Sequence, residues 1–280
     1  MEYKGQNHQG KSFKGQDLQN ADFSGSDLRG ADFSGALLRN ADFTNTKTGL
    51  RIPAYILIFV FSLIISLLSG YIAMLTGSTN QFLINHTDGN LRLAGYITTG
   101  LFILFVLLSL WKGGTFTLKI VFPVILLVLV LGAVLRLTGV ATGVGPFQSA
   151  LALCLLVLMF FVGTVARASA GALSSNIIFL FVAMGGAMFG KSIGGGIGTV
   201  VMALACAVIS KRALKGAKGF ELLKTISLTV STYFGTSFRL ADLTNADFSN
   251  STVINTDFTD SKMEGVNWKN AVKVNTLNDT

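Results

Sequence analysis

The sequence predicts a mixed fold in two parts. One is a repeat unit assembled from both ends of the chain; the other is an α-helical transmembrane bundle of about six helices. Three observations predict it. A five-residue period runs from Tyr3 to Thr46 and resumes from Thr236 to Asn275. About 190 mostly apolar residues separate the two halves. The chain is 51% hydrophobic and 13% charged, whereas charged residues make up roughly a quarter of a soluble domain.

The repeat comes first in chain order. Its third place is Phe13, Leu18, Phe23, Leu28, Phe33, Leu38 and Phe43, then Phe238, Leu243, Phe248, Val253, Phe258, Met263 and Trp268. Two places earlier stands a small residue in the best blocks, such as Ala21, Ala31, Ala41, Ala241 and Ala246, and two places later Gly or Asn. A period of five fits neither a helix at 3.6 nor a strand at 2. Bulky and small apolar residues on one inward face, with a Gly or Asn corner, describe a chain that turns every five residues.

Blocks such as ADFSG SDLRG ADFSG (21–35) and ADLTN ADFSN (241–250) resemble the pentapeptide-repeat family, whose motif is roughly A-(D/N)-(L/F)-x-x. The resemblance implies a right-handed quadrilateral β-helix with four blocks per coil and coils about 4.8 Å apart. Either half alone is a short stack, and repeat proteins need several units to hold. Residues 1–48 and 236–280 are therefore expected to form one composite β-helix. Asp22, Asp32, Asp42, Asp242 and Asp247 are expected at its outward face and turns. The pattern weakens at Tyr3 and His8, at Val253, and where Lys273 takes the inward place, which predicts frayed ends. Some soluble members of the family mimic DNA through a strongly acidic surface. Here Arg29, Arg39 and Arg239 are interspersed with the acids, so no nucleic-acid mimicry is expected. Membrane-anchored members are familiar from cyanobacteria, and the resemblance implies a plasma or thylakoid membrane of that kind.

Residues 49–210 form the expected transmembrane domain. The first fifty residues are polar and regular, so the run from Pro53 to about Thr76 is expected to act as an uncleaved anchor. Further runs follow at 93–111, 119–140, 147–165, 172–189 and 192–210, each near the ~20 residues that cross a bilayer. The formal net charge of +8 comes from everything between the repeat halves, residues 49–235. Lys47, Arg51, Lys112, Lys119, Arg167, Lys211, Arg212, Lys215 and Lys218 fall on one side of the six spans, and Arg92, Arg136 and Lys191 on the other. The positive-inside rule then predicts a multi-pass protein with both termini cytoplasmic. Basic groups at span ends account for the charge without a nucleic-acid partner. Residues 211–235 comprise a basic juxtamembrane stretch and an amphipathic helix with Leu222, Leu223, Ile226, Val230, Tyr233 and Phe234 on one face. That helix is expected to cap the open β-helix end in preference to lying at the interface.

Gly185 to Ser192 fits the phosphate-loop pattern G-x-x-x-x-G-K-S. The preceding Ile177–Met184 could read as a strand, yet no acidic residue lies between Asp88 and Glu221 to hold Mg²⁺. Gly186, Gly190, Gly194 and Gly198 also recur every four residues, a ladder that lets helices approach closely in lipid. With Lys191 they are the candidates for tight packing or for lining a path, with a helix break between Lys191 and Gly196. The two His and two Cys stand at no metal-ligand spacing, and no acid–base or nucleophile constellation has a supporting context. We therefore expect no catalytic, cofactor or metal residues. The expected function is non-enzymatic: a membrane protein whose β-helix is a protein-docking scaffold, with lipid and protein partners and self-association left open. The alternative is a small channel or transporter for an anion or neutral solute, with the β-helix as gate or clip.

Overall fold

A computed structural model describes residues 3–137, 145–189 and 192–277. The chain divides into two compact units, Met1–Ile58 with Ile226–Thr280, and Phe59–Thr225. The first joins the two ends of the sequence.

Within it the chain turns at each block corner. The fifth place has positive φ throughout, from Gly5 and Asn20 to Asn270 and Asn275, the region Gly and Asn reach at least cost. Leu240 is the exception in kind: at φ 57° it occupies a corner with a branched side chain. Parallel bridges recur every twenty residues, so four blocks make one coil with four faces. Face A carries Asn7, Asp27, Lys47, Thr252 and Val272; face B carries Ser12, Asp32, Ser237, Asp257 and Leu277. Face C holds Asp17, Leu37, Asp242 and Lys262, and face D holds Asp22, Asp42, Asp247 and Asn267. Four short strands, β1 (Thr236–Ser237), β2 (Thr252–Ile254), β3 (Thr256–Asp257) and β4 (Val272–Val274), pair in the same parallel register.

The halves meet without a fault in that register. The position twenty residues after Asp32 is filled by Ser237 in place of Ile52. Phe33, Leu38 and Phe43 donate their N–H groups to the carbonyls of Ser237, Asp242 and Asp247 at 2.8, 2.8 and 2.7 Å. Ser237, Asp242 and Asp247 donate back to Ala31, Ala36 and Ala41, each at 3.0 Å. The chain leaves the stack after face A and re-enters on face B, so the insertion occupies one corner.

Alternation of Phe and Leu places aromatics on opposite walls. Tyr3, Phe23, Phe43, Phe248 and Trp268 stack with centroids 4.6–5.2 Å apart. Phe13, Phe33, Phe238 and Phe258 form a second column at 4.8–5.3 Å. Both columns cross the junction, and the two meet edge to face, as ring quadrupoles favour. The small residues Ala21, Ala31, Ala41, Ala241 and Ala246 are fully buried between them. Met263 and Trp268 pack on the core only partly buried, at the end where the pattern weakens.

The remaining chain is helical: α1 (Ile52–Ile84), α2 (Gly89–Trp111), α3 (Gly114–Leu137), α4 (Gly145–Ser169), α5 (Ala172–Phe189), α6 (Ile193–Leu214) and α7 (Glu221–Tyr233). Among the described residues four helices are long and apolar enough to cross a membrane: α1, α2, Ala150–Ser169 of α4, and α6. Against the expected count of about six, the described residues hold four such helices among seven. Helix α5 has 18 residues, rising about 27 Å against a hydrocarbon core of about 30 Å. The span expected over 119–140 falls partly outside the described residues. In the second unit α4 packs against α2, α3, α5 and α6. Phe105 and Phe160 meet at its centre, edge to face at 4.9 Å.

The helix expected over the 211–235 segment forms, but it exposes the apolar stripe read from the sequence. Leu222, Ile226, Val230 and Tyr233 face outward, whereas Leu223, Ser227, Leu228, Ser231 and Thr232 are buried. Its serine and threonine hydroxyls can be buried because Ser231 and Thr232 donate to the Leu228 carbonyl within the helix.

The strained corner yields a test of this geometry. Leu240→Asn should raise the stability of the repeat unit by about 1 kcal/mol, because Asn tolerates the left-handed conformation that Leu does not. Thermal unfolding measures it; an unchanged or lower melting temperature would contradict the assigned corner.

Candidate functional site

Each aspartate at an outward place has the same local role. Its carboxylate accepts from the backbone N–H two residues on, as in Asp22 to Ser24, Asp42 to Thr44 and Asp247 to Ser249, each 2.8 Å. Such turns pin the side chain in one direction. Three further acids carry a cation. The Arg29 guanidinium grips Asp27 and holds its carboxyl below the usual range. Arg39 bridges the junction to Asp242, both nitrogens at 2.8 Å. Arg239 stands 3.8 Å from Asp257.

Face D differs. Asp22, Asp42 and Asp247 lie in one column at adjacent-strand spacing, about 4.8 Å, and none makes an ion pair among the described residues. The hydrogen bonds from Ser24 hold Asp22 below its ordinary value, and Lys4 adds a weaker pull through space. Burial pushes Asp247 up, but Ser249 and Asn267 outweigh it and leave the carboxyl lowered. Like charges directly opposite on neighbouring strands are destabilising. Asn20 and Asn40 bond side chain to side chain along the adjoining corner, and Ser24, Thr44 and Ser249 flank the other side. The result is a flat acidic strip. A twenty-residue period, and not the five-residue one, is the signal that would have found Asp22 and Asp42; Asp247 needs the junction.

The junction itself is polar inside. Thr48 takes the inward place where other blocks hold Phe or Leu, and its hydroxyl meets that of Thr256 at 2.7 Å. Thr236 Oγ1 donates to the Leu28 carbonyl at 2.8 Å and accepts from Gly49 N–H at 2.9 Å. Sequence reading missed Thr48 because a hydroxyl does not match the repeat. At the N-terminal end His8 fills the same wall, 1% exposed, with Nε2 3.2 Å from the Tyr3 carbonyl and Nδ1 without a partner.

In the helical unit the glycines make close contacts. A Cβ at Gly77 on α1 would collide with the Gly194 carbonyl, and one at Gly194 would stand 2.6 Å from the Gly77 carbonyl. One at Gly198 would lie 2.9 Å from the Ala73 carbonyl, and one at Gly186 would strike the Thr199 side chain. These contacts set α1 and α5 against α6. Gly190 and Lys191 lie outside the described residues. Ile177–Met184 belongs to α5, so the segment before the phosphate-loop pattern is helical and the strand reading is corrected: its N–H groups are engaged in the helix. Helix α6 begins at Ile193 behind the Ser192 cap, within the expected break.

Arg167 was expected at the cytoplasmic flank; the structure buries it, 2% exposed, in the last turn of α4. Its Nε donates to Ser66 Oγ at 3.2 Å and a terminal nitrogen to the Ala203 carbonyl at 2.8 Å. Among the described residues no carboxylate forms an ion pair with it. The sequence has none between Asp88 and Glu221, and Asp88 follows the far end of α1, whose Ile84 lies about 27 Å along the axis from Ser66. The C-terminal dipole of α4 offsets part of the charge.

The comparison with protein families now has a structural counterpart. The family described as Pentapeptide repeats matches residues 12–46 and 235–260, in eight copies. No curated protein and no solved structure matches the chain significantly. The chain thus carries pentapeptide repeats together with helices long and apolar enough to span a membrane. Its coils extend past the matched residues at both ends, since Tyr3 N–H bonds the Asp22 carbonyl and Leu277 N–H that of Thr256.

Two expectations follow. Burial holds His8 below the ordinary 6.5, so the unfolded chain binds the proton more tightly and stability is lost as pH falls below about 6.5. The hydrogen-exchange protection of residues 3–18, with rates corrected for the intrinsic pH dependence of amide exchange, should fall between pH 7.5 and 5.5 and should lose that change in His8→Leu. In the helical unit Gly77→Val, which meets backbone, should cost about 3 kcal/mol or more. Gly100→Ala, which meets nothing within 4 Å, should be tolerated. Equal melting of the two in detergent would contradict the close helix approach.

Proposed function

We propose that this membrane protein is non-enzymatic and that its repeat unit is a docking platform on the cytoplasmic face, where face D receives a basic segment of a partner protein. The observation that carries this reading is the column of Asp22, Asp42 and Asp247. Three unpaired carboxylates held parallel on a rigid stack cost stability by themselves and suit a run of Lys or Arg at matching spacing. Face D does not adjoin the corner through which the chain departs. The hydrogen bond from Gly49 N–H to Thr236 Oγ1 joins the two ends of the insertion, which supports an even number of crossings. The basic residues of the span ends support placing both termini in the cytoplasm. The exposed stripe of α7 beside a basic segment suits a helix lying in the interface.

Arg167 favours a second reading, a path for a small anion through the helical unit. A buried cation without a counter-charge is expensive, and an anion is the partner that its free donors would take.

One set of variants separates the two readings. Asp22→Asn, Asp42→Asn and Asp247→Asn together keep the turn acceptors and remove the charge. Cross-linking in native membranes should lose a stoichiometric, salt-sensitive partner in this triple variant, with thermal stability unchanged or raised. Retention of every partner would remove face D from the function. Chloride or nitrate flux in vesicles that disappears in Arg167→Met would instead favour the anion path.

A further inference from the structure

A groove runs between α2 and α6 in the helical unit. Its volume is about 520 Å³, and Leu107, Leu110, Val201, Leu204 and Val208 are among the apolar side chains that line it. From Val201 to Arg212 it follows α6 for about 16 Å. The lining is apolar until the last turn, where Arg212 closes it.

The basic end is constructed by close backbone packing. Arg212 donates to the carbonyl of Leu110, which holds the guanidinium across the groove mouth and leaves its other N–H groups available. A Cβ at Gly113 would strike the Gly219 carbonyl, and one at Gly219 would stand 2.6 Å from that of Lys112. Two glycines thus let the end of α2 meet the loop after α6, which brings Lys112 and Lys218 to the same end as Arg212. Lys112 Nζ sits 4.5 Å above the Trp111 ring, and Trp111 is 76% exposed. Lys211 and Lys215 are exposed on the last turn of α6 and just beyond it. Glu221, the carboxylate of the helical unit at this end, accepts from Gly219 N–H at 2.8 Å and cannot balance five cations.

We infer that this groove binds one anionic glycerophospholipid, with an acyl chain along α2 and α6 and the phosphate on Arg212 and Lys112. An apolar trough that ends in a cluster of cations beside an exposed tryptophan matches a lipid in both its parts. A free phosphate would leave the trough unfilled, and a zwitterionic lipid would leave the cations unbalanced. The inference rests on the reading of α2 and α6 as membrane-spanning.

The test uses the full-length protein in detergent, with native mass spectrometry and two lipids of identical chains, phosphatidylglycerol and phosphatidylcholine. Wild type should retain one phosphatidylglycerol in preference to phosphatidylcholine. Arg212→Gln should weaken that retention about five- to tenfold, since each basic group near a lipid headgroup contributes about 1 kcal/mol. Ala205→Trp, which fills the trough and keeps every charge, should weaken it as well. Arg92→Gln, at the other end of α2, should leave it unchanged. Equal retention of the two lipids, or full phosphatidylglycerol binding by either Arg212→Gln or Ala205→Trp, would overturn the site. Recovery of the wild-type protein outside the membrane fraction would instead refute the membrane reading beneath it.

Discussion

Between residues 31–48 and 237–252 the backbone exchanges hydrogen bonds in the same phase as within either half, and the rest of the structure depends on that exchange. A β-helix end is a row of unpaired N–H and C=O groups, and an isolated coil leaves half its inward side chains without a layer above them. Joining the halves removes two such ends. It also sets a condition on everything inserted between Gly49 and Thr236. The insertion has to return to the corner from which it left, one block further round the coil, so that Phe238 falls beneath Phe33 and Phe248 beneath Phe43. A membrane domain meets the condition only by crossing an even number of times.

The interior shows how the condition is satisfied at the level of side chains. Four blocks per coil and alternate Phe and Leu keep aromatic rings on walls B and D and aliphatic groups on A and C. Wall A is the irregular one, with His8, Leu28, Thr48, Val253 and Lys273 in succession. It is also the wall from which the chain departs. There Thr48, Thr236 and Thr256 replace hydrophobic contact with hydroxyl bonds that tie the exit strand to the entry strand. A buried hydroxyl is tolerated only with a partner, and each of the three has one.

The helical unit is built on a different principle. Lipid is as apolar as leucine, so helices gain by approaching closely and not by burying surface. Gly77, Gly186, Gly194 and Gly198 supply the approach, and Gly186, which stands in the phosphate-loop pattern in sequence, is a packing position on α5. Arg167 is the costly group in this unit, held by Ser66 and the Ala203 carbonyl with no ion pair among the described residues. Groups of that kind inside a membrane domain mark function more often than structure.

The repeat core, the corners and the existence of membrane-capable helices were legible in the sequence because each follows from a short local period: five residues for the coil, an apolar run for a helix. Even the helix break before Ile193 is readable from length. What the period does not carry is which residues stand in one column, since that depends on twenty-residue stacking and, for Asp247, on an alignment across the insertion. The acidic strip, the threonine junction and the exposed face of α7 were therefore decided by tertiary structure, as was the burial of Arg167. Local chemistry determines how each five-residue block turns, through bonds such as Ala21 N–H to the Leu18 carbonyl; only the meeting of distant blocks determines which charges and hydroxyls become neighbours, because the bonds that stack one coil on the next join residues a whole coil apart or, at the junction, from opposite ends of the chain.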